Sequence, residues 1–395
     1  MKKIAIISYG GLPMPPVRGG AVENLTQFFV ENNEKSKVAE LTVFSSYDSA
    51  AERESKKYKN TQFVYIHPHK VFDKITGFTN RVFKKLRFGA GFQVFPYLID
   101  IVKILKSSDF DYVIVENRAE YVPYLRKKVG IPIILHMHND YLKDGYYLAD
   151  SVVNGCDKII AVSNYVEKCI LTIKGADKVS VLRNVIDVKS FSCVSAEARN
   201  RTREMYGIKS YDVVFAFVGR VTRSKGVSEL VKAFSNVVTK HSNARLLIVG
   251  AEWFSSGAQS EFIKELQASS ELIRDKIVFT GYVDYSRIAE QYACADVVVV
   301  PSIAGEACGL VVLEAMASGK ALIVSDSGGI PEHIADDGAI VVPRGDGFTQ
   351  GLVDAMDRLA LDASLVKSMG ENGAARAIMY DKEGYLERLL GVLED

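Results

Sequence analysis

Residues 297–314 read VVVVPSIAGEACGLVVLE, and this stretch decides the fold class. An apolar run as short as the four valines is typical of a strand buried on both faces. The strand ends before Pro301, so Glu306 is predicted in the following loop and Glu314 on the next helix. Ligands of open α/β sheets bind at this carboxyl edge, and the two glutamates are therefore predicted to face one crevice. On their own they fit equally well a helix-dipole contact for Glu306 and a solvated position for Glu314.

The same alternation of strand and helix continues along the chain and predicts an α/β protein with parallel sheets. In the first half, strands are predicted at residues 3–8, 38–45, 62–66, 112–116, 132–138, 158–162 and 178–182. In the second half, they are predicted at residues 213–218, 244–249, 276–280, 296–300, 321–325 and 339–342. A polar stretch separates the two series. We therefore predict domains over 1–190 and 205–379, with the last helix, about 380–395, packing back on the first domain.

Composition excludes several classes of protein. The net charge of the 395 residues is +1, so no global field attracts nucleic acid, and none is expected as a partner. The five cysteines are scattered, without CxxC pairs, which indicates a reduced, cytoplasmic setting. No apolar run approaches 18 residues, so no transmembrane helix is expected.

A glycine-containing loop follows the first predicted strand of each half. Neither loop contains GxGxxG, which argues against a nicotinamide or flavin dehydrogenase. The first loop brings Gly19 and Gly20 to the start of a helix, where free N–H groups can bind an anion. The second carries Arg220 and Lys225, two cations able to neutralise a diphosphate, although such a pair is also common on a protein surface.

Four motifs in the second half occur in order at the predicted strand ends. They are Gly219-Arg220-x4-Lys225-Gly226, Gly281-Tyr282-Val283, Glu306-x7-Glu314-Ala315 and Gly328-Gly329-Ile330-Pro331-Glu332. Together they resemble the family-4 retaining glycosyltransferases. In the first half the resemblance rests on Gly19-Gly20-x2-Glu23 and on the stretch 182–187. It implies the GT-B fold, in which two facing Rossmann-like domains with parallel sheets enclose a deep inter-domain crevice.

The resemblance also implies roles for individual residues. The second domain would bind a nucleotide-diphosphate sugar, and the first would bind the acceptor. Glu306 would lie against the transferred sugar, and Glu314 would accept hydrogen bonds from the ribose hydroxyls. The diphosphate and the base would be bound by the remaining residues of the motifs: Arg220, Lys225, Gly309, Leu310 and Val311 for the diphosphate, Gly281, Tyr282 and Val283 for the base, and Gly19 and Gly20 closing over the phosphates.

Two histidines end one predicted strand of the first half. His136 and His138 are two residues apart and so share a face of the strand. Family members carry a functional histidine at this strand end, and His138 is assigned that role because it is nearer the mouth, with His136 as a substrate contact. A metal site is not expected, since no third ligand is evident in the sequence.

The chain departs from the family pattern at three places, one of which is the segment 335–339, which is shorter than usual. Asn184 is followed by Val185, where the family usually has Asn-Gly, which makes Asn184 a weaker candidate for substrate binding. Cys308 stands where the family often has an aromatic residue, so the sugar pocket is expected to differ there.

The resemblance implies a retaining transfer without a metal or other cofactor, since the leaving diphosphate is stabilised by preorganised charges. The co-substrate would be a nucleotide-diphosphate sugar, and the acceptor a glycan or polyprenyl-lipid-linked molecule in cell-surface polysaccharide or glycolipid assembly. Paired carboxylates also occur in glycoside hydrolases, but the neighbouring phosphate-type ligands fit a nucleotide sugar better. The motifs are also compatible with a catalytically silent nucleotide-sugar-binding subunit of a synthase complex and with a GT-B sugar-nucleotide epimerase.

Residues 74–88 mix cations with large apolar residues. Phe78, Val82, Phe83 and Leu86 recur at helical spacing beside Lys84, Lys85 and Arg87. Such a helix fits the anionic inner face of the plasma membrane, and it fits equally well against its own domain with the basic face in water. The sequence leaves both interpretations open.

Overall fold

A computed structural model describes residues 1–68, 76–81, 85, 94–251, 261–334 and 337–394. The chain divides into two compact units: the first comprises Met1–Asn184 with Lys382–Asp395, and the second Val185–Asp381. The stretch 191–204, which the sequence left between the predicted domains, belongs to the second unit. Of segment 74–88, only residues 76–81 and 85 are described, so most of that segment lies outside the described residues.

The first unit is built on a seven-stranded parallel sheet. Its strands are β1 (Lys2–Ile7), β2 (Ala39–Ser46), β3 (Thr61–Ile66), β4 (Tyr112–Glu116), β5 (Ile133–Met137), β6 (Lys158–Ala161) and β7 (Val179–Val181). They lie in the order β3-β2-β1-β4-β5-β6-β7. The central strands are buried on both faces, which explains their unbroken apolar sequences.

Several helices accompany this sheet in the part of the chain before residue 184 that the structure describes. They are α1 (Ala21–Ser36), α2 (Ser49–Ser55), α3 (Pro96–Ser107), α4 (Tyr121–Arg126), α5 (Ala149–Gly155) and α6 (Asn164–Leu171). Two of them begin at side-chain caps that the sequence provides. Asp48 accepts hydrogen bonds from the backbone N–H groups of Ala50 and Ala51, and Ser163 accepts one from Val166.

The second unit contains a six-stranded parallel sheet. Its strands are β8 (Val213–Val218), β9 (Ala244–Val249), β10 (Ile277–Gly281), β11 (Val297–Val300), β12 (Ala321–Ser325) and β13 (Ala339–Val342), in the order β10-β9-β8-β11-β12-β13. Its helices are α7 (Val188–Ser192), α8 (Ala196–Met205), α9 (Val227–Lys240), α10 (Glu261–Ser269), α11 (Ile288–Cys294), α12 (Leu310–Ala317), α13 (Phe348–Leu361) and α14 (Ala363–Ala377). Its core includes the strand residues Phe215, Ile248 and Val299, packed with Phe234 of α9 and Met356 of α13.

Both sheets have the strand order of a doubly wound α/β fold, and this order explains where side chains converge. In each sheet the order reverses beside the first strand, between β1 and β4 in one and between β8 and β11 in the other. Loops that leave two such neighbouring strands diverge to opposite faces and open a crevice at the carboxyl edge. The loops after β8 and β11 carry Lys225 and Glu306, and β4 ends at Glu116.

The chain ends in the first unit. Helix α15 (Tyr385–Glu394) packs against α1. Lys382 Nζ lies 3.0 Å from Glu31 Oε2, and the backbone N–H of Leu386 donates to Asn32 Oδ1 at 3.2 Å. Among the described residues, no helix is long and apolar enough to cross a membrane.

Candidate functional site

Glu306 and Lys225 form an ion pair at the switch point of the second sheet. Ser302 Oγ donates a second hydrogen bond to Glu306 Oε1 at 3.0 Å. Both charged side chains are partly exposed, at 27% for Lys225 and 17% for Glu306, so a ligand can reach either group. The structure thus brings together two residues that stand 81 positions apart in the sequence.

Two glycines make this pairing possible. A Cβ at Gly226 would lie 1.8 Å from the carbonyl oxygen of Pro301, so only glycine lets the loop after β8 touch the end of β11. The backbone N–H of Ile303 donates to the Ser224 carbonyl at 2.9 Å across the same contact. A Cβ at Gly328 would lie 2.1 Å from the Glu306 carbonyl oxygen, which also accepts a hydrogen bond from the Gly329 N–H at 2.8 Å. The Gly328-Gly329 motif therefore supports the backbone that presents Glu306.

Glu314 lies on α12 and is buried, which excludes the solvated position that the sequence left open. Tyr292 donates a hydrogen bond to Glu314 Oε2 at 2.7 Å, and Tyr285 donates one to Oε1 at 3.2 Å. Burial raises the pKa of Glu314 to about 7, although the two phenol hydrogen bonds lower it in part. Near neutral pH this carboxyl group is therefore poised between its two protonation states.

A cavity of about 220 Å³ opens beside Glu314 within the second unit. Its lining combines backbone-rich loop ends with apolar side chains, and comprises Val218, Gly219, Arg220, Val249, Gly250, Ala251, Tyr282, Val283, Tyr285, Ile288, Val311 and Glu314. Such a chamber, apolar with a few polar groups at one side, suits a flat heterocycle attached to a polar group. Five residues predicted to bind the nucleotide, among them Arg220 and Tyr282, line this one cavity.

The residues between Glu306 and Glu314 that were predicted to bind the diphosphate lie at the start of helix α12. Gly309 precedes the helix, and Leu310 and Val311 form its first turn. The first N–H groups of a helix lack intrahelical acceptors and carry the positive end of its dipole. This end of α12 therefore offers donors to an anion near the cavity that Val311 lines.

In the first unit, His136 and His138 converge on a carboxylate that the sequence reasoning had missed. Glu116 ends β4 directly opposite His136 of β5 in the sheet register. Glu116 Oε2 lies 2.8 Å from His138 Nε2 and 3.1 Å from His136 Nδ1. All three side chains are buried, and His138 is the least so, at 6% exposed. The ring centroids of the two histidines are 4.1 Å apart.

The pKa values of both Glu116 and His138 are lowered in this cluster. Burial alone would raise the pKa of Glu116, but the two histidines outweigh it and lower the pKa to about 2. Burial, reinforced by His136, lowers the pKa of His138 to about 4. At neutral pH the cluster therefore holds an ionised Glu116 and a neutral His138.

The sequence reasoning found no third metal ligand beside the two histidines, and on this point it was wrong. Ligand atoms of Glu116, His136 and His138 lie within 4.8 Å of one another, so these described residues form a group able to hold a cation. In the structure the same atoms satisfy each other as hydrogen-bond partners. The expectation of a metal-free reaction stays a prediction.

A second, larger cavity of about 760 Å³ lies in the first unit near this cluster. Aromatic and amide side chains dominate its lining, which includes Tyr9, Phe95, Asn117, Arg118, Glu120, Asn139, Tyr141, Tyr146 and Tyr147. The Arg118 guanidinium lies 4.2 Å from the ring centroid of Tyr9 and bonds Glu120 at 2.9 Å. Arg118 is therefore held in a fixed position at the cavity wall.

The positions of the predicted site residues Gly19, Gly20 and Asn184 do not test the roles predicted for them. Gly19 and Gly20 lie immediately before α1, and Asn184 is buried at the end of the first unit. The predicted phosphate contacts of the glycines and the substrate contact of Asn184 stay predictions.

The structure adds Glu116, Tyr285, Tyr292 and Ser302 to the site residues. A signal for Glu116 was present, since it is a carboxylate at the end of a predicted strand adjacent to the histidine strand. Tyr285 and Tyr292 carry no such signal, because only tertiary packing brings α11 and its preceding turn against α12.

Two family models match adjoining parts of the chain. The model described as "Glycosyltransferase Family 4" matches residues 40–190, and "Glycosyl transferases group 1" matches residues 198–376. The two matches fall largely on different structural units and together span most of the sequence.

Two curated relatives match over most of the chain. Spore coat protein SA of Bacillus subtilis is 28% identical over 347 residues, which cover 85% of this chain and 83% of the relative. The putative glycosyltransferase YtcC of the same organism is 26% identical over 384 residues, covering 94% of this chain and 86% of the relative.

Solved structures agree on the fold. Anabaena Alr3699/HepE, crystallised in complex with UDP and glucose, aligns with a TM-score of 0.76 at 18% identity and covers the whole of both chains. WaaG, a glycosyltransferase involved in lipopolysaccharide biosynthesis, aligns with a TM-score of 0.67 at 16% identity, covering 98% of this chain and 99% of its own. The predicted α/β fold of two parallel-sheet, Rossmann-like domains, known as GT-B, is confirmed.

Proposed function

Because this chain belongs to the family-4 glycosyltransferases of the GT-B type, we propose that it transfers a hexosyl or related sugar from a nucleotide-diphosphate sugar with retention of anomeric configuration and without a metal. The observation that carries this proposal is the second unit's arrangement of the Lys225–Glu306 ion pair and the cavity lined by Arg220 and Glu314. In this arrangement a diphosphate would meet cations while a nucleoside would occupy an apolar chamber.

The donor would bind in three parts. The base would enter the 220 Å³ cavity against Tyr282 and Val283, and the ribose hydroxyls would donate to Glu314. Arg220, Lys225 and the N-terminal N–H groups of α12 would bind the diphosphate. Lys225 would then exchange its contact with Glu306 for a phosphate oxygen, which would free Glu306 to bind the hydroxyls of the sugar.

Charge stabilisation by these groups supports a metal-independent reaction. As the glycosidic bond breaks, negative charge grows on the departing phosphate, where the Lys225 ammonium, the Arg220 guanidinium and the helix N-terminus would all be placed to stabilise it. Glu306 would support the positive charge that develops on the sugar. Retention would follow from attack by the acceptor on the face that the diphosphate leaves.

The 760 Å³ cavity of the first unit supports a carbohydrate acceptor. Its tyrosines offer flat apolar faces and hydroxyl groups, and Asn117, Asn139 and Arg118 offer hydrogen bonds around them. Clefts of this composition suit amphipathic ligands such as sugars. We assign the acceptor to a glycan or polyprenyl-lipid-linked glycan of cell-surface assembly, used on the cytoplasmic side.

Segment 74–88 would then contact the inner face of the plasma membrane. Phe78, which belongs to its described part, is 69% exposed and so is available to enter a lipid surface. Replacing Lys84, Lys85 and Arg87 by glutamate is expected to abolish sedimentation with anionic liposomes, because each cation near such a surface contributes about 1 kcal/mol. Unchanged sedimentation of this triple variant would exclude membrane contact through the segment.

The test begins with thermal unfolding in the presence of UDP, GDP, dTDP and ADP and their common sugar conjugates. Ligand at 100 times its dissociation constant stabilises a protein by roughly 2.7 kcal/mol. We expect a shift with one nucleotide, diminished in Glu314→Ala, and then slow hydrolysis of the matching sugar conjugate, unaffected by EDTA and releasing the sugar first as the donor's anomer.

The same measurements distinguish a transferase from a silent subunit and from an epimerase. Binding without turnover by the purified chain would support a silent binding subunit, and an epimerised sugar would support an epimerase. No shift with any nucleotide would contradict the proposed donor site.

A further inference from the structure

The Glu116–His136–His138 cluster contains more hydrogen-bonding capacity than its internal contacts use. His138 Nδ1 and His136 Nε2 are buried, and neither has a hydrogen-bond partner among the described residues. Buried polar atoms without partners are uncommon in native proteins, and each requires an explanation. These two lie on the sides of the rings that face away from Glu116.

The contacts to Glu116 determine which nitrogen of each ring carries a proton. An ionised carboxylate can only accept hydrogen bonds. The ring atoms that contact it, Nε2 of His138 at 2.8 Å and Nδ1 of His136 at 3.1 Å, must therefore be N–H donors. In a neutral imidazole the other nitrogen is then an acceptor. Because His138 is neutral at pH 7, its unpartnered Nδ1 is consequently an acceptor, available to a hydroxyl group.

The backbone around the cluster is also held in place, by hydrogen bonds of Asn117. Asn117 follows Glu116 and adopts φ of 54°, a left-handed conformation that few non-glycine residues take. In this conformation its Oδ1 accepts the backbone N–H of His138 at 3.0 Å, while its own N–H donates to the His136 carbonyl at 2.8 Å. The end of β4 thus fixes both the main chain and the imidazole of His138.

Other groups near the cluster do not supply the missing partners. Phe29 lies against His136 with ring centroids 6.3 Å apart and offers an apolar face. Glu23 of α1 is buried and interacts with the charge of Glu116. Its pKa is raised to about 7, mainly by burial, and its Oε1 also lacks a partner within the described part of the chain. Three polar atoms are therefore buried here without a hydrogen-bond partner among the residues that the structure describes.

We propose that Glu116 is a positioning residue for sugar transfer: it holds His138 in the tautomer that leaves Nδ1 as an acceptor for a hydroxyl group of the sugar or its acceptor, with His136 fixed beside it. This inference rests on the proposed transferase function. It assigns a role to Glu116.

The primary test is the tautomer of each histidine, measured by long-range ¹H–¹⁵N correlation in the full chain at pH 7. The chain has six histidines, so single His→Gln variants are enough to assign the signals. We expect His138 to be protonated at Nε2 only and His136 to carry a proton at Nδ1. Either ring in the opposite tautomer, or a doubly protonated His138, would overturn the proposal, as would stoichiometric zinc or another metal bound in the purified protein.

The second test is Glu116→Gln, with Asp111→Asn at the opposite end of β4 as the matched control. The neutral amide oxygen of glutamine is a weaker acceptor than the carboxylate oxygen that both rings contact, so His138 is expected to populate its other tautomer. Hydrolysis of the donor sugar should then fall roughly tenfold or more in kcat, with little change in KM, because a misplaced group loses its alignment with the substrate. An unchanged kcat would contradict a positioning role.

The proposed transferase function and the positioning role of Glu116 can be refuted separately. If no nucleotide sugar binds or reacts, the proposed function fails, and the tautomers still test the geometry of Glu116. If the donor binds and reacts while Glu116→Gln alters neither kcat nor tautomer, only the positioning role fails.

Discussion

Glu116 and Glu314 are both buried carboxyl groups beside the carboxyl edge of a parallel sheet, yet their surroundings give them opposite acidity. Burial raises the pKa of each. Glu116 meets two imidazoles, which outweigh burial and lower its pKa to about 2. Glu314 meets two phenols, whose neutral hydrogen bonds offset burial only in part and leave its pKa at about 7. Partners, more than burial, decide whether a buried carboxyl group is a permanent anion or a titrating group.

The difference in pKa between Glu116 and Glu314 matches the function proposed for each unit. A permanent anion suits a cluster whose task is to fix two histidines. A carboxyl group near its midpoint suits a site that gains strong donors, the ribose hydroxyls, only when substrate binds. The third carboxylate, Glu306, is matched instead with a cation, Lys225, in a partly exposed pair that a diphosphate can open.

The largest expected effect follows from removing that cation. In Lys225→Ala the departing phosphate loses a charged donor, and hydrolysis of the donor sugar should fall roughly 10²- to 10³-fold in kcat. Arg223→Ala is the matched control, because Arg223 is an exposed cation of the same loop that pairs with Glu265. Equal losses in the two variants would mean that the loop acts only through its overall charge.

Stability should respond to the two buried carboxyl groups with opposite signs. The folded pKa of Glu116 lies below its ordinary value of 4.5, so its stabilising contribution is present above pH 4.5 and is lost as pH falls towards 2. The folded pKa of Glu314 lies above 4.5, so stability is lost as pH rises from 4.5 through 7.

At pH 8, therefore, Glu116→Gln should destabilise the protein and Glu314→Gln should stabilise it, each by on the order of 3 kcal/mol. Urea unfolding at pH 8 and at pH 5 measures both effects, and the gain from Glu314→Gln should largely disappear at pH 5. If both variants changed the stability at pH 8 in the same direction, the opposite pKa shifts of Glu116 and Glu314 would be refuted.

Donor binding should weaken in acid because Glu314 accepts hydrogen bonds best when ionised. With a pKa of about 7 in the free protein, affinity for a nucleotide sugar should fall about tenfold from pH 8 to pH 6. Calorimetry with the sugar conjugate is the appropriate measurement, since its diphosphate does not titrate in this range. The profile should be flat in Glu314→Gln and unchanged in Glu116→Gln.

The smallest expected effects distinguish the two phenols. Tyr292 is fully buried and bonds Glu314 at 2.7 Å, whereas Tyr285 is 43% exposed and bonds it at 3.2 Å. Tyr292→Phe should cost about 1–2 kcal/mol of stability, and Tyr285→Phe less than about 1 kcal/mol. Both variants should move the midpoint of the donor-binding profile to higher pH, with Tyr292→Phe moving it further. The reverse ranking would show that hydrogen-bond length and burial do not set the acidity of Glu314.

The sequence by itself determined the fold class and the position of the second unit's candidate site. Unbroken apolar runs such as 297–300 are specific to strands buried on both faces, and parallel strands bring every following loop to one edge. Arg220, Lys225, Glu306 and Glu314 could therefore be located from spacing and the family motifs.

Tertiary structure alone decided what those groups pair with and how they ionise. No local pattern predicts that two tyrosines of a neighbouring helix and turn enclose Glu314, or that Glu116 comes into register with His136 on the adjacent strand. Register and packing depend on contacts between residues distant in the chain. The pKa of a buried group depends on the few atoms within hydrogen-bond reach, and only the folded chain specifies those atoms.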